Sequence, residues 1–216
     1  SVPVFANEFH YDNDGTDVGE FIEVAGPAGT DLAGWTLVLY NGSNGAPYAT
    51  INLSGSIPDQ GASGFGTLFF AATGMQNGSP DGFALVNASN VVQQFLSYEG
   101  TFTAVGGPAN GMLSVDVGVS QPSTTPIGQS LQLIGTGECP EDFTWTGPVD
   151  DSPGAINTGQ IFATGDVPPT VTDTTPGDLD TGVAIDVTVD ITFSEPVTVT
   201  GTIAIDCTSS ADQNVT

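Results

Sequence analysis

The feature that most constrains the fold is a two-residue alternation of side-chain character. Between Trp35 and Tyr40, the side chains of Trp35, Leu37 and Leu39 fall on one face, and those of the intervening residues fall on the other. Successive side chains of a β-strand point to opposite faces, so this pattern predicts a strand with one strongly apolar face. The alternation recurs at 48–53 and is most regular at 185–193.

Clusters of glycine, proline, asparagine and serine separate the alternating segments. The chain holds 29 glycines and 15 prolines, without a fixed repeat. Residues 1–164 divide into about nine short strands with no convincing helix. Residues 100–128 form a long turn-rich connection with one weak strand candidate at 112–117. Short strands separated by turn signals predict an all-β fold, built as a β-sandwich.

Three short motifs near the N-terminus carry a family resemblance. They are Asn7-Glu8-Phe9, Glu20-Phe21-Ile22-Glu23 and Gly34-Trp35-Thr36-Leu37. In this order and spacing they resemble the opening of bacterial lamin-tail domains, and the likeness extends over residues 1–164. It implies an Ig-like β-sandwich of the lamin-tail type and a place outside the cell. It also implies a setting near the N-terminus of large secreted proteins, which include extracellular nucleases.

A second domain is predicted at 170–216, after a proline-containing linker at 165–169. The segment Ile191-Thr192-Phe193-Ser194-Glu195-Pro196-Val197 resembles a strand of bacterial Ig-like domains. Such a sandwich needs about 100 residues and seven strands, and 170–216 supplies about half of that, so a partial second Ig-like sandwich is expected. Either the polypeptide continues beyond Thr216, or a neighbouring molecule completes the sheet by adding a strand.

The charge of the chain excludes several kinds of partner. It has no lysine or arginine and 25 acidic residues, which gives a formal net charge of −25. Nucleic-acid binding requires cationic side chains against phosphate, and binding to anionic membrane surfaces requires them too. No apolar run approaches the ~20 residues of a membrane-spanning helix. We therefore expect an extracellular or cell-surface protein whose signal peptide has been removed, with a protein partner or with further copies of itself.

An acidic loop between the first two predicted strands is the candidate metal site. Its carboxylates are Asp12, Asp14, Asp17 and Glu20. Calcium takes six to eight oxygen ligands, and a loop turned by glycine can bring several together, so calcium is a possible cofactor. The alternative is a connecting loop in which aspartate and asparagine side chains cap their own backbone.

The sequence favours a protein without catalytic activity. The chain has one histidine, His10, and no Gly-x-Ser-x-Gly motif, so only carboxylate pairs are available as acid and base. A glycosidase-type pair would come from Glu8, Glu20 and Glu23. Surface β-sandwiches carry such residues on solvated faces, and we predict no catalytic residues.

The tryptophans and cysteines leave alternatives open. Trp35 shares a face with Leu37 and Leu39, which favours a core position over a sugar-binding platform, and Trp145 fits both roles. Cys139 and Cys207 fall in different predicted domains. Cys207 is expected to pair in the missing half of the second sandwich, and a Cys139–Cys207 disulfide is the alternative.

Three functional hypotheses follow. The first is a non-catalytic structural or adhesive module, the accessory N-terminal part of a larger secreted polypeptide. The second is a self-assembling subunit of an extracellular filament or surface layer, completed by strand pairing between subunits. The third is a calcium-dependent carbohydrate-binding module, which requires an exposed aromatic side chain near the acidic loop.

Overall fold

The alternating segments pair into β-strands in the computed structural model, which describes residues 3–163, 171–177, 180–184 and 186–193. The chain forms two units, Ser1–Gly165 and Asp166–Thr216. The predicted linker at 165–169 lies outside the described residues. The predicted all-β class with Ig-like sandwich architecture is confirmed. The strands of the first unit are β1 (Phe5–His10), β2 (Phe21–Pro27), β3 (Thr36–Asn41), β4 (Ala46–Asn52), β5 (Phe65–Ala71), β6 (Asp81–Val86), β7 (Val92–Tyr98), β8 (Val115–Asp116), β9 (Gln129–Gly137), β10 (Phe143–Asp150) and β11 (Gln160–Phe162).

Two five-strand paths form the layers of the first unit. The first sheet has the order β10-β9-β1-β2-β5, and β11 runs parallel to the end of β9. The second sheet has the order β4-β3-β6-β7-β8, in which only the β7–β8 pair is parallel. A single 3-10 turn, Pro140–Asp142, is the one helical element among the described residues.

The core lies between the two sheets and contains the apolar face that the alternation predicted. Leu37 and Leu39 are fully buried there, and Trp35 packs against them from a partly buried position. The ring of Phe9, from the first sheet, meets Phe83 of the second sheet edge-on, with 5.3 Å between ring centroids. Aromatic pairs prefer such tilted arrangements, which add to the burial of apolar area.

A two-stranded segment covers the outer face of the second sheet. We call residues 102–115 the flap. Its two arms are joined by an antiparallel bridge between Thr103 and Leu113. Phe102 points inward and meets the ring of Phe95 edge-on at 5.3 Å. The flap occupies part of the connection at 100–128, and the weak strand candidate at 112–117 becomes the two-residue strand β8.

The flap passes so close to the second sheet that one position requires glycine. Gly107 has a φ of +64°, in the left-handed region, and a Cβ added there would lie 2.5 Å from the hydroxyl of Tyr40. Any other side chain would strain the backbone and push the flap away from the sheet. The Tyr40 hydroxyl in turn accepts a hydrogen bond from the backbone N–H of Ala109, at 3.0 Å.

The second unit contains one described strand pair. Strand β12 (Val171–Thr175) pairs antiparallel with β13 (Asp190–Phe193). Among the described residues of the predicted alternation, 186–193, the last four form a strand, and Val187 and Val189 lie outside β13 and are exposed. Residues 194–197 of the predicted signature and Cys207 lie outside the described residues, so the predicted pairing of Cys207 stays a prediction. None of the described residues forms a helix long and apolar enough to cross a membrane.

Candidate functional site

Two glutamates from the resemblance motifs lie side by side on the outer face of the first sheet. Glu8 of β1 is directly opposite Glu23 of β2 in the strand register, next to an irregularity between Ala6 and Glu8. Both side chains are 0% exposed. They are buried because residues 151–159, between β10 and β11, fold back over this face. We call residues 151–159 the strap.

Glu8 ties the strap to β9. Its Oε1 atom accepts hydrogen bonds from the Ser130 hydroxyl at 2.6 Å, the Gln132 side-chain amide at 3.2 Å and the backbone N–H of Ser152 at 2.9 Å. Its Oε2 atom lies 2.9 Å from the Ser152 hydroxyl. Hydrogen bonds to charged groups are the stronger ones in proteins, so this carboxylate fixes the start of the strap.

Glu23 holds the middle of the strap. Its Oε2 atom accepts a hydrogen bond from the backbone N–H of Gly154 at 2.6 Å, and its Oε1 atom accepts one from the Asn7 side chain at 3.0 Å. Asn157 completes the attachment, because its side-chain amide donates to the carbonyls of Asn7 and Leu133 at 3.1 and 3.0 Å. The strap is therefore fastened at Ser152, Gly154 and Asn157.

Burial determines the protonation of the two carboxyls. Desolvation raises the pKa of Glu8, against the effect of the hydrogen bonds from Ser130 and Ser152. Desolvation also raises the pKa of Glu23 to about 8, and the neighbouring charge of Glu8 acts in the same direction. Burial disfavours the charged form of a carboxyl, and a second carboxylate disfavours it further.

The paired glutamates are closed to a substrate. A glycosidase needs its two carboxyl groups on either side of a bound sugar, open to the solvent. In this protein the carboxyl groups of Glu8 and Glu23 are both covered by the strap and accept hydrogen bonds from protein donors. Glu20, the third candidate for such a pair, has a different partner. Its Oε2 atom accepts a hydrogen bond from the backbone N–H of Gly74 at 3.0 Å.

His10 has a structural position at the base of the acidic loop. Its Nε2 atom lies 3.1 Å from the carbonyl oxygen of Val18, and its Nδ1 atom lies 3.0 Å from the Gln121 side-chain nitrogen. A carbonyl can only accept, so Nε2 donates to Val18. The ring connects the loop to the distant segment that contains Gln121, which is also fully buried.

The structure brings together two of the four predicted calcium ligands. Asp12 is 6% exposed, and burial raises its pKa, with the nearby charge of Asp17 as the next cause. The Asp17 carboxylate accepts hydrogen bonds from the Asn13 backbone and the Asn77 side chain, both at 3.3 Å. Asp14 is exposed to the solvent.

Glu20 points away towards Gly74, so it does not join the other carboxylates of the loop. Within the described ranges, no group of three or more His, Cys, Asp or Glu side chains is placed to hold a metal ion. The Asp and Asn side chains of the loop do bond to its own backbone, as in the alternative interpretation of this loop. One example is the Asn13 side-chain oxygen, which accepts from the Val18 N–H at 3.0 Å.

The tryptophans are partly buried rather than fully exposed. Trp145 packs edge-on against Phe9, at 5.2 Å. Trp35 lines an open pocket of about 400 Å³ together with Pro27, Asn87 and Gln93. This pocket lies near the start of β1, the end of β2 and the start of β3. The acidic loop follows the other end of β1, after His10. The half-exposed aromatic ring and the acidic loop are therefore at opposite ends of the sandwich.

The residues that fasten the strap were not predicted as functional or structural sites. Ser152 and Asn157 follow the last long strand in a turn-rich segment, and their spacing matches no periodic pattern. The two glutamates stand out in the motifs, but nothing near them in sequence indicates that a segment more than 120 residues away covers them.

The geometry defines an all-β, Ig-like sandwich in which the conspicuous polar residues of the motifs hold loops in place. Comparison with known families adds one assignment: residues 165–216 match the family described as "Bacterial Ig-like domain". Bacterial Ig-like domains typically occur in extracellular or surface proteins, which suggests a structural module. No curated protein and no solved structure matches the chain.

Proposed function

We propose that this chain is a non-catalytic structural or adhesive part of an exported bacterial polypeptide. Residues 1–164 are a rigid sandwich of the lamin-tail type, and residues 170–216 begin an Ig-like domain that further polypeptide completes. This accessory region stands before the functional domains of a larger secreted protein, and an extracellular nuclease is one such setting.

The observation that supports this proposal is how Glu8 and Glu23 are used. They are among the carboxylates that the sequence offers as an acid and a base, and both are 0% exposed. A general acid or base must come within hydrogen-bond distance of its substrate, which burial under the strap prevents. Each oxygen of the pair is bonded to a protein donor, and the strap covers both. A fold in which these carboxyl groups only hold loops in place suits a module that spaces or presents other domains.

The location and length of the native protein test this proposal. An antiserum raised against residues 1–164 should detect a polypeptide in the culture medium or on the cell surface of the source bacterium. Its mass should exceed that of this chain, which is 21.9 kDa. Detection in the cytosol alone, or catalytic turnover by the purified chain, would contradict the proposal.

A calcium site at the acidic loop is a second candidate function, favoured by the contact between Asp12 and Asp17. The chain has no lysine or arginine to neutralise two adjoining carboxylates, so a proton or a cation from the medium must do so. The side-chain nitrogen of Asn77 donates a hydrogen bond to Asp17 at 3.3 Å, but this neutral group does not balance the charge of the two carboxylates. Sugar binding that depends on this calcium is not favoured, because Trp35 is at the other end of the sandwich.

A further inference from the structure

A groove on the outer face of the first sheet lies beside the strap. It is bordered by β9, by the edge strand β10 and by the end of the strap. Its volume of about 580 Å³ is enough for a small organic molecule. Its polar lining includes Gln132 of β9, Thr146 and Asp150 of β10, and Thr158 of the strap. We call it the side groove.

Gln132 directs a hydrogen-bond acceptor into the side groove. The residue is 1% exposed, and its side-chain nitrogen, Nε2, lies 2.8 Å from the backbone carbonyl oxygen of Asp150 and 3.0 Å from the Ser130 hydroxyl. A carbonyl can only accept, so the nitrogen end of the amide faces Asp150 and the amide cannot be turned round. All hydrogen bonds of this side chain to the described residues use Nε2, and its oxygen, Oε1, is open to the groove. Because the polar atoms of buried side chains are normally paired, this oxygen is suited to accept a hydrogen bond from a ligand.

Asp150 places a carboxylate beside Gln132. This side chain is exposed, and its Oδ1 atom lies 3.4 Å from the Gln129 side-chain nitrogen, which is a long contact with a neutral group. The chain has no lysine or arginine, and its one histidine, His10, is buried at the base of the acidic loop. A cation that balances the charge of Asp150 must therefore come from outside the chain.

Aliphatic side chains form another part of the lining. They are Ile134 of β9 and Pro148 and Val149 of β10. None of the described residues that line the groove is aromatic, so the groove lacks a ring on which a sugar would stack. An anion would meet the carboxylate of Asp150, and the chain has no lysine or arginine to bind it. The side groove therefore suits a ligand that is cationic at one end and aliphatic along its length.

We propose that the side groove binds a primary ammonium group carried on an aliphatic chain. An ammonium has three donors and no acceptor, so it can donate to Oε1 of Gln132 and to the carboxylate of Asp150. Its aliphatic chain then lies along Ile134 and Pro148, as the stems of lysine side chains lie on apolar surfaces. A lysine side chain of another protein and a free alkyl amine share this chemistry. The site is additional to the proposed structural role and does not depend on it.

An NMR titration of the full chain with n-pentylamine tests the site. At about pH 7 the amine is protonated, and about 150 mM NaCl screens its general attraction to the acidic surface. The signals of the Gln132 side-chain amide and the Thr146 and Val149 backbone amides should shift and saturate, with a Kd on the order of 1–10 mM. Methylamine has the charge without the chain and should bind at least about fivefold more weakly, because each buried methylene group adds affinity. The uncharged 1-pentanol should also bind more weakly than n-pentylamine.

A lysine that is blocked at both ends, as Nα-acetyl-lysine methylamide, distinguishes the two sources of the ammonium. It presents the same alkylammonium group on a peptide backbone. If it shifts the same signals with a Kd close to that of n-pentylamine, the groove accepts a lysine side chain of a partner protein. If n-pentylamine binds and the blocked lysine does not, the ligand is a free alkyl amine.

Asp150→Asn should weaken the binding of n-pentylamine about three- to fivefold, since it removes an exposed ion pair. It keeps the backbone carbonyl that orients Gln132. Asp151→Asn is the matched control, because it removes the same charge one residue further along, outside the lining of the groove, and should change the Kd less than about 1.5-fold. Shifts that do not saturate by about 50 mM amine, equal affinities for methylamine and n-pentylamine, or equal effects of the 150 and 151 variants would overturn the proposal. None of these results affects the test of export and native mass.

Discussion

At the scale of single residues, Glu23 should make the protein more stable in mild acid than in mild base. Its pKa is about 8 in the folded protein and 4.5 when unperturbed. Between these values the folded state keeps a proton that the unfolded state has lost, so the free energy of unfolding falls as pH rises from about 4.5 to 8. Burial raises the pKa of Glu8 and Asp81 as well, which acts in the same direction.

The variant Glu23→Gln isolates this contribution. Glutamine does not ionise, so the melting temperature of the variant should change less between about pH 5 and about pH 8 than that of the wild type. It should also be lower in acid, because an amide cannot accept from both Asn7 and Gly154. In the control variant Glu141→Gln, at an exposed position, the melting temperature should change with pH as it does in the wild type. If the melting temperatures of all three proteins changed equally with pH, Glu23 would have the same pKa in the folded and the unfolded chain.

Asp17 is the residue at which to test calcium. If calcium binds beside Asp12 and Asp17, millimolar calcium should raise the melting temperature above its value in a chelator, because a ligand of the folded state stabilises it. Asp17→Asn should abolish the difference, and Asp14→Asn should leave it, since Asp14 is exposed and apart from the pair. Identical melting curves with calcium and with the chelator would show that the loop does not bind calcium.

For single residues, the sequence predicts burial correctly where the pattern of neighbouring residues determines which face a side chain occupies. Leu37 and Leu39 are buried because the alternation places them on the inner face, and that face is buried in any sandwich. Glu8 was assigned to a solvated face because the pattern cannot show what covers the outer side of a sheet. The donors that reach it, such as Ser152, come from a segment whose path depends on the whole fold.

At the scale of elements, the strap should depend strongly on one buried side chain. Asn157→Ala removes two donated hydrogen bonds and leaves the carbonyls of Asn7 and Leu133 buried without that partner. The expected loss in the free energy of unfolding is about 2–3 kcal/mol. Urea denaturation measures this loss, and hydrogen exchange at the Gly154 amide should become faster.

Asn44→Ala is the control for that prediction. Its side chain accepts one hydrogen bond, from the backbone N–H of Ala46, in an exposed turn. Its removal should cost about 0.5 kcal/mol or less. If the two alanine variants had the same stability, the strap would contribute little to the fold.

The elements show where strand prediction succeeds and where it fails. The alternation at 35–40 was correctly assigned as a strand, and β3 (Thr36–Asn41) has a partner strand on each side. The alternation at 185–193 is more regular, yet among its described residues, 186–193, only Asp190–Phe193 form a strand. A strand needs a partner for its backbone groups, and β12 ends at Thr175, which pairs with Asp190, the first residue of β13. Periodicity predicts which residues share a face, while pairing decides which of them form a sheet.

At the scale of the whole molecule, the charge of the chain should make its stability depend on salt in an unusual way. The chain has 25 acidic residues, no lysine or arginine and one histidine, so almost every charge–charge interaction is repulsive. Folding brings these carboxylates closer together, and the repulsion opposes it. The formal charge alone fixes this sign, whatever the positions of the carboxylates.

We therefore expect the melting temperature to rise with salt at pH 8, mainly between about 10 and 100 mM NaCl, where the screening length falls from about 30 to 10 Å. Salt at this level has little effect on the hydrophobic contribution, so the increase reports on charge. At a pH near 4 the carboxylates are partly protonated, and the same salt increase should have a smaller effect. A melting temperature that is constant or falls over this range at pH 8 would mean that bound cations, such as calcium at the acidic loop, already neutralise the folded state.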